Sequence, residues 1–254
     1  MKYIIFIFII FIYFKNINAI GLGETQITAE DGIEVFQKEK YYLLKNNVEI
    51  ISDNFNLNAD TVKAFFDKDL YDIVKLYAEG KVFLNSDKRG ISAKGDILEF
   101  TLKNEKIKII GVKSELILNK ASMFSDGIIE VNNNKGTFFL NGKNSSLNSE
   151  NITVKGTIIN GEFISLNEVN EVTKLDVQDD KISNIKTNKI DMYSLKAIYD
   201  KKKNIIELID KVKVIRGNEI ITGDYGNVDI ENNSYKVSSN KASKVKVLIT
   251  QSDE

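Results

Sequence analysis

The sequence predicts an all-β protein, an antiparallel meander of hairpins, and three observations carry that prediction. Apolar and polar residues alternate through most of the chain in stretches of about four to seven, the period of strands that bury one face. Breaks rich in Asn, Gly, Asp and Lys separate the stretches and suit hairpin turns. A unit the length of a hairpin then recurs along the chain, which a sheet of stacked hairpins explains directly.

The chain opens on Met1-Lys2, an apolar run from Tyr3 to Phe14, and a polar exit at Lys15-Asn16 leading to Ile17-Asn18-Ala19. This is the pattern of a signal peptide over residues 1–19, with cleavage after Ala19. The run is shorter than the roughly 18 to 20 residues that cross a bilayer as a helix, so a retained anchor over residues 4–14 is the weaker alternative. Beyond it, Phe55-Asn56-Leu57-Asn58-Ala59 is the plainest alternating strand. Others run over Ile97 to Leu102, Lys106 to Ile109, Ile152 to Val154, Asn227 to Ile230, Tyr235 to Val237 and Lys244 to Val247. Turns are expected at Lys103 to Glu105, Asn132 to Gly136, Asn141 to Asn144 and Glu231 to Asn233. Val62 to Asp69 and Ser194 to Asp200 could each be drawn as two helical turns. Their length and their period-two Ala64/Phe66 and Ala197/Tyr199 make them strands instead.

Composition excludes most chemistry. There are 0 histidines and 0 cysteines, which removes nearly all transition-metal sites, the nucleophile systems built on a histidine base, and disulfides. No enzyme activity, metal or cofactor is expected. The chain has 35 basic and 36 acidic residues, and losing residues 1–19 removes Lys2 and Lys15 and no acid. The remainder is mildly acidic, and Lys201-Lys202-Lys203 is its main basic cluster, so nucleic acid is not an expected partner. The acidic pairs Asp179-Asp180 and Glu30-Asp31 fall in apparent turns, and adjacent strand residues point to opposite faces, which argues against a paired-carboxylate site.

The repeat is anchored on Asp60, Asp96 and Asp224. Each follows a small residue (Ala59, Gly95, Gly223), with Leu57, Ala93 and Ile221 three positions before. Two positions after stand Val62, Leu98 and Gly226, then Ala64, Phe100 and Val228, then Phe66, Leu102 and Ile230. A turn follows, then Tyr71, Ile107 and Tyr235, and Ile73, Ile109 and Val237. The three aspartates are expected at a turn or strand end, accepting backbone hydrogen bonds. Each unit has one apolar face it cannot bury alone, and stacking aligns these faces into a trough.

The stretch Asp210 to Tyr225, with Asp229 to Val237, resembles the LptA/OstA group of periplasmic lipopolysaccharide-transport proteins. Ile27 to Glu34 and Asn47-Val48 are similar to that family's first strands. The resemblance covers roughly residues 27–110 and 189–249. It implies an open, twisted antiparallel β-jelly-roll-like sheet with an OstA-like unit over residues 20–110, a divergent β-rich middle over 111–185 continuing the sheet, and a C-terminal OstA-like unit over 186–254. It further implies a periplasmic bridge component that carries lipopolysaccharide from inner to outer membrane. Lipid A would lie on Ile33, Val35, Ile50, Leu57, Val82, Leu98, Phe100, Val228 and Ile230. Edge strands around Ile27, Ile33, Val245, Val247 and Ile249 would dock LptC-like and LptD-like partners or further copies end to end. The alternatives are an LptC-like subunit anchored in the inner membrane, and a structural β-repeat protein in which the same residues form an ordinary packed core.

Overall fold

Strands occupy nearly the whole of the computed structural model, which describes residues 25–68, 72–166, 169–240 and 244–249. In chain order they are β1 (Thr25–Thr28), β2 (Ile33–Phe36), β3 (Tyr41–Ser52), β4 (Asn56–Phe66), β5 (Ile73–Ser86), β6 (Ile91–Thr101), β7 (Lys106–Ile110), β8 (Ser114–Leu118) and β9 (Ala121–Ser125). Then follow β10 (Ile128–Asn132), β11 (Thr137–Asn148), β12 (Thr153–Leu166), β13 (Val169–Lys186), β14 (Asp191–Asp200), β15 (Ile205–Arg216), β16 (Glu219–Asp229), β17 (Ser234–Ser238) and β18 (Lys246–Ile249). One 3-10 turn, Asp87–Arg89, joins β5 to β6, and no α-helix occurs among the described residues. Of the two helix-like stretches, Val62 to Phe66 of the first lies in β4 and the second lies inside β14; Asp69 is outside the described residues. The expected signal peptide or anchor, and Tyr71 of the repeat, lie outside the described residues.

All pairings are antiparallel; β7 pairs with β10 and β8 with β9, so β6, β7, β10, β11, β9 and β8 close into a six-strand ring where an open sheet was expected. β1 and β2 both pair with β3, β7 and β8 both pair with β6, β9 and β10 both pair with β11, and β17 and β18 both pair with β16. Each of these duos is one long strand broken at its middle. The long strands bend at the same level: registers jump between Lys45 and Val48 in β3, Asn58 and Thr61 in β4, Glu79 and Val82 in β5, and Ile209 and Val212 in β15. The ladder runs through residues 110 and 186 without a break, so the middle of the chain lies in the same sheet as both flanks.

The bend has a local cause. Asn46 and Asn47 have φ of 57° and 49°, Gly80 and Lys81 have 79° and 48°, and Asp210 and Lys211 have 61° and 53°. Two successive left-handed residues form a bulge that turns the strand, and because it spans two residues the buried positions stay in step, as Leu76, Ala78, Val82 and Leu84 do in β5. The partner strand is the one that shifts by one: β4 buries Leu57 and Ala59 before the bend and Val62, Ala64 and Phe66 after it. Asp60, Asp96 and Asp224 stand at this bend in mid-strand, not at a turn or strand end. Their role as acceptors holds where hydrogen bonds are seen, since Val112 N–H donates to Asp96 Oδ2 at 3.3 Å and Asn240 N–H to Asp224 Oδ2 at 2.7 Å. Asp60 instead covers the bulge glycine, Gly80, with Lys81 Nζ at 3.7 Å.

The bend folds each strand over on itself. β6 has 11 residues and would reach about 36 Å if straight. Yet Arg89, before its start, forms an ion pair with Glu105, after its end. Phe55, before β4, likewise packs edge-on against Phe100 near the end of β6, with ring centroids 6.4 Å apart. The sheet is therefore doubled over along a spine of bulges, with its inner faces in contact. Leu44, Ile50 and Leu57 on these faces are 0% exposed, as are Ile109 and Val228.

Two expected turns are bends instead. Asn141 to Asn144 lies inside β11, where Asn144 N–H donates to Asp126 Oδ1 at 3.1 Å. Asp179-Asp180 lies inside β13, where Asp179 Oδ1 accepts Lys181 N–H and Ile182 N–H. Glu30-Asp31 is a turn, as expected, between β1 and β2, and accepts the side-chain amides of Asn47 and Asn46. Asn, Gly and Asp are favoured at bulges for the same left-handed backbone and side-chain acceptors that favour them at turns, so composition alone does not separate the two.

Candidate functional site: the apolar interior and its openings

The interior is one hydrophobic cluster running from Leu44 in β3 to Val228 in β16, with Ile27, Ile230, Tyr235 and Val237 packed against its ends. Six of the expected groove residues lie inside it and are almost completely covered: Ile50 and Leu57 at 0%, Val82 at 3%, Leu98 at 1%, Phe100 and Val228 at 0%. In this closed form, protein side chains cover them. Their outward neighbours Asn58, Glu99 and Asp229 are partly exposed, as the alternation requires.

The ends of the doubled sheet differ from its middle. Ile33 pairs with the buried Leu44 and Val35 with Tyr42, so both face inward, yet each is 47% exposed. At the other end Val247 sits opposite Ile221 and Ile249 opposite Glu219, again on the inner face, at 54% and 70% exposed. Val245, just before β18, is 39% exposed. The apolar lining thus reaches solvent at both ends. Of the expected docking residues, Ile33, Val245, Val247 and Ile249 are exposed, and Ile27 packs against the core beside Ile50.

The long side opposite the spine is a mouth between two rows of hairpin turns, and polar contacts close it. Arg89 pairs with Glu105, which also accepts Asn133 Nδ2 at 2.6 Å. Asn119 Nδ2 donates to Asn170 Oδ1 at 3.3 Å, and Asn170 Nδ2 returns a bond to Leu118 O at 3.1 Å. Asn151 Nδ2 reaches Val172 O at 3.2 Å and the Tyr199 hydroxyl at 3.4 Å. Near the C-terminal end, Arg216 donates to Asn233 O at 3.1 Å, and the Tyr235 hydroxyl to the Glu219 carboxylate. Burial first, then the Glu219 carboxylate, pushes the Tyr235 phenol above its ordinary pKa; burial does the same at Tyr199. Both phenols are therefore protonated at neutral pH, Tyr235 donating to Glu219 and Tyr199 accepting from Asn151. None of these contacts was expected from the sequence: Tyr199 and Tyr235 were noted there only as strand residues, and the others sit in or beside polar turns that look like any solvated loop.

A second feature escaped the sequence reading. Through the middle of the chain the spine is lined by buried serines: Ser114, Ser125, Ser145, Ser183 and Ser194, each at most 2% exposed. Each has a partner, for example Ser125 Oγ to Ser145 Oγ at 3.0 Å and Ser183 Oγ to Ser194 O at 2.7 Å. Hydroxyls replace aliphatic groups at inner positions there, which explains why the middle fits the flanking repeat poorly. The visible signal was the unbroken alternation Ser114, Leu116, Leu118 and Ala121, Met123, Ser125. Asp126 is a fourth bend aspartate; the extra Gly127 after it displaces the following apolar register by one. The Asn144 backbone amide holds its carboxyl below the usual aspartate range.

Residues 26–137 match the family model described as LptA/(LptD N-terminal domain) LPS transport protein. Over these residues the chain is LptA/OstA-like. The matched segment begins in β1 and ends at the first residue of β11, so it crosses the expected unit boundary at residue 110. No curated protein matches the chain. The crystal structure of LptH, the LptA homologous periplasmic component of the conserved lipopolysaccharide transport device from Pseudomonas aeruginosa, aligns with 90% of this chain and 96% of its own length. Its identity is 12% and its TM-score 0.23, a superposition too loose to place any residue. No group of His, Cys, Asp and Glu side chains among the described residues is arranged to hold a metal ion.

Proposed function

We propose that this LptA/OstA-like chain is a non-enzymatic, periplasmic lipopolysaccharide-binding transport protein, carrying the lipid's acyl chains along its apolar interior as part of a bridge between inner and outer membranes. The observation that supports this most is a single apolar lining that runs the length of the doubled sheet and emerges at both ends. Burial of acyl chains contributes about 25 cal/mol per Å² and has no directional requirement. A lipid held that way can slide, which a bonded pocket would prevent. An open jelly-roll-like arrangement of the terminal strands is part of this reading, and it is supported by β1 and β2 both registering on β3, and β17 and β18 both on β16, among the described residues. Edges with inward apolar residues at Ile33, Val247 and Ile249 suit end-to-end addition of LptC-like and LptD-like partners or further copies. Domain roles follow the same reading, with the N-terminal and C-terminal units supplying the docking ends and the middle extending the conduit.

Photocrosslinkers at inward Leu57, Phe100 and Val228, compared with outward Asn58, Glu99 and Asp229 in living cells, test the proposal. Lipopolysaccharide adducts confined to the inward set are expected. The rival reading, a structural β-repeat protein without lipid cargo, is favoured by the near-complete coverage of Ile50, Leu57 and Phe100, and an absence of adducts at all three inward sites would establish it.

A further inference from the structure

The spine and the mouth are built from different forces. Along the spine every strand is continuous backbone, bent at bulges that can serve as hinge points. Across the mouth, each hydrogen bond uses at least one side chain, and no backbone-to-backbone bond joins the two rows of turns among the described residues. Parting the lips therefore breaks no ladder. The closed state also carries an unsatisfied group: Asn133 Oδ1, beside the Arg89–Glu105 pair, is buried without a hydrogen-bond partner. Such an atom disfavours closure. The Arg89 and Glu105 side chains are only 26% and 24% exposed, so their bond is partly shielded from screening water.

From this we infer that the polar contacts across the mouth are a releasable clasp, and that lipid enters the interior sideways when the clasp parts, with the spine as hinge. The inference rests on the reading of the interior as a lipid conduit and adds the route of entry. The ends alone do not supply that route while the middle is packed: Leu98 and Phe100, at 1% and 0% exposure, have no room beside them for an acyl chain until the two inner faces separate. In a two-state opening, removing one charge-assisted hydrogen bond raises the open population by about tenfold or more.

The native sequence has 0 cysteines, so introduced thiols react alone. The first arm bridges Asn119→Cys to Asn170→Cys with dibromobimane and follows uptake of fluorescently labelled lipopolysaccharide by the full exported chain. The bridged protein is expected to load at least about tenfold more slowly than the same protein unbridged. Equal loading overturns the clasp and leaves the conduit reading standing. Failure of the wild-type chain to bind any lipopolysaccharide sinks the conduit reading and, with it, sideways entry.

The second arm needs no lipid. A thiol at buried Ile91→Cys, two residues from Arg89, is labelled with a maleimide in the presence and absence of Arg89→Ala. Labelling is expected to quicken about tenfold while stability in urea falls by no more than the corresponding ~1.4 kcal/mol, and Arg89→Lys should restore much of the protection. Unchanged labelling would show that these contacts do not hold the mouth shut.

Discussion

Adding one methyl group at Gly80 tests the account of the spine. Gly80 has φ +79°, and a Cβ built there would stand 2.4 Å from Asp60 Oδ2 and 2.7 Å from Asp60 Cβ. The carboxylate oxygen could swing aside, but the Asp60 Cβ is fixed by the β4 backbone, whose register holds on both sides of the bend. Gly217 offers the control: its φ is +54°, and nothing lies within 4 Å of its virtual Cβ. Gly217→Ala carries only the left-handed backbone penalty, about 1 kcal/mol. Gly80→Ala carries that penalty plus about 1 to 3 kcal/mol for forcing apart a close-packed pair, about 2 to 4 kcal/mol altogether. Urea unfolding of the two variants side by side, with unchanged m-values, measures the difference. Asp60→Gly, which removes the Cβ at 2.7 Å, combined with Gly80→Ala should recover part of the loss. Equal midpoints for Gly80→Ala and Gly217→Ala would refute the claim that the spine depends on the bend aspartate lying against the bulge glycine.

Two further outcomes follow from the packing and the charges. Leu57→Ala and Phe100→Ala should each lower stability by about 3 to 5 kcal/mol, against less than about 0.5 kcal/mol for Asn58→Ala; similar small losses for all three in urea melts would contradict a doubled sheet with filled inner faces. On the outer face, the Lys75 ammonium, 2.8 Å from Glu99, holds the Glu99 carboxyl below the usual glutamate range. A depressed carboxyl stabilises the fold above its unfolded pKa and loses that contribution as pH falls through the folded value. The urea midpoint should therefore drop between about pH 5 and pH 3, and Lys75→Met should flatten part of that drop, which parallel titrations of both proteins would detect.

Most of the strands were legible because period-two alternation is a local consequence of burying one face. Val62 to Phe66 and Ser194 to Asp200 read correctly as strands for that reason. The bend was less legible, although its trace was present. The spacing from Leu57 to Val62 is odd, and an odd step between inner residues cannot occur in a regular strand. Asn141 to Asn144 and Asp179-Asp180 were read as turns because a bulge and a turn demand the same residue types.

The sequence alone determined an all-β chain of repeated hairpins, a face of each strand that must leave water, an absence of residues for histidine- or cysteine-based chemistry, and the recurrence of Asp60, Asp96 and Asp224 at one position of the repeat. These are properties of residue type and short-range spacing. Only the tertiary structure decided that the sheet doubles over, that serines at inner positions line the middle of the spine, and that Arg89 meets Glu105 while Asn119 meets Asn170, 51 residues away. Those contacts join polar turns far apart in sequence, and they exist because identical bends, stacked strand after strand, bring opposite ends of each strand together. No local pattern encodes such a meeting; it is a consequence of the accumulated geometry of the bends.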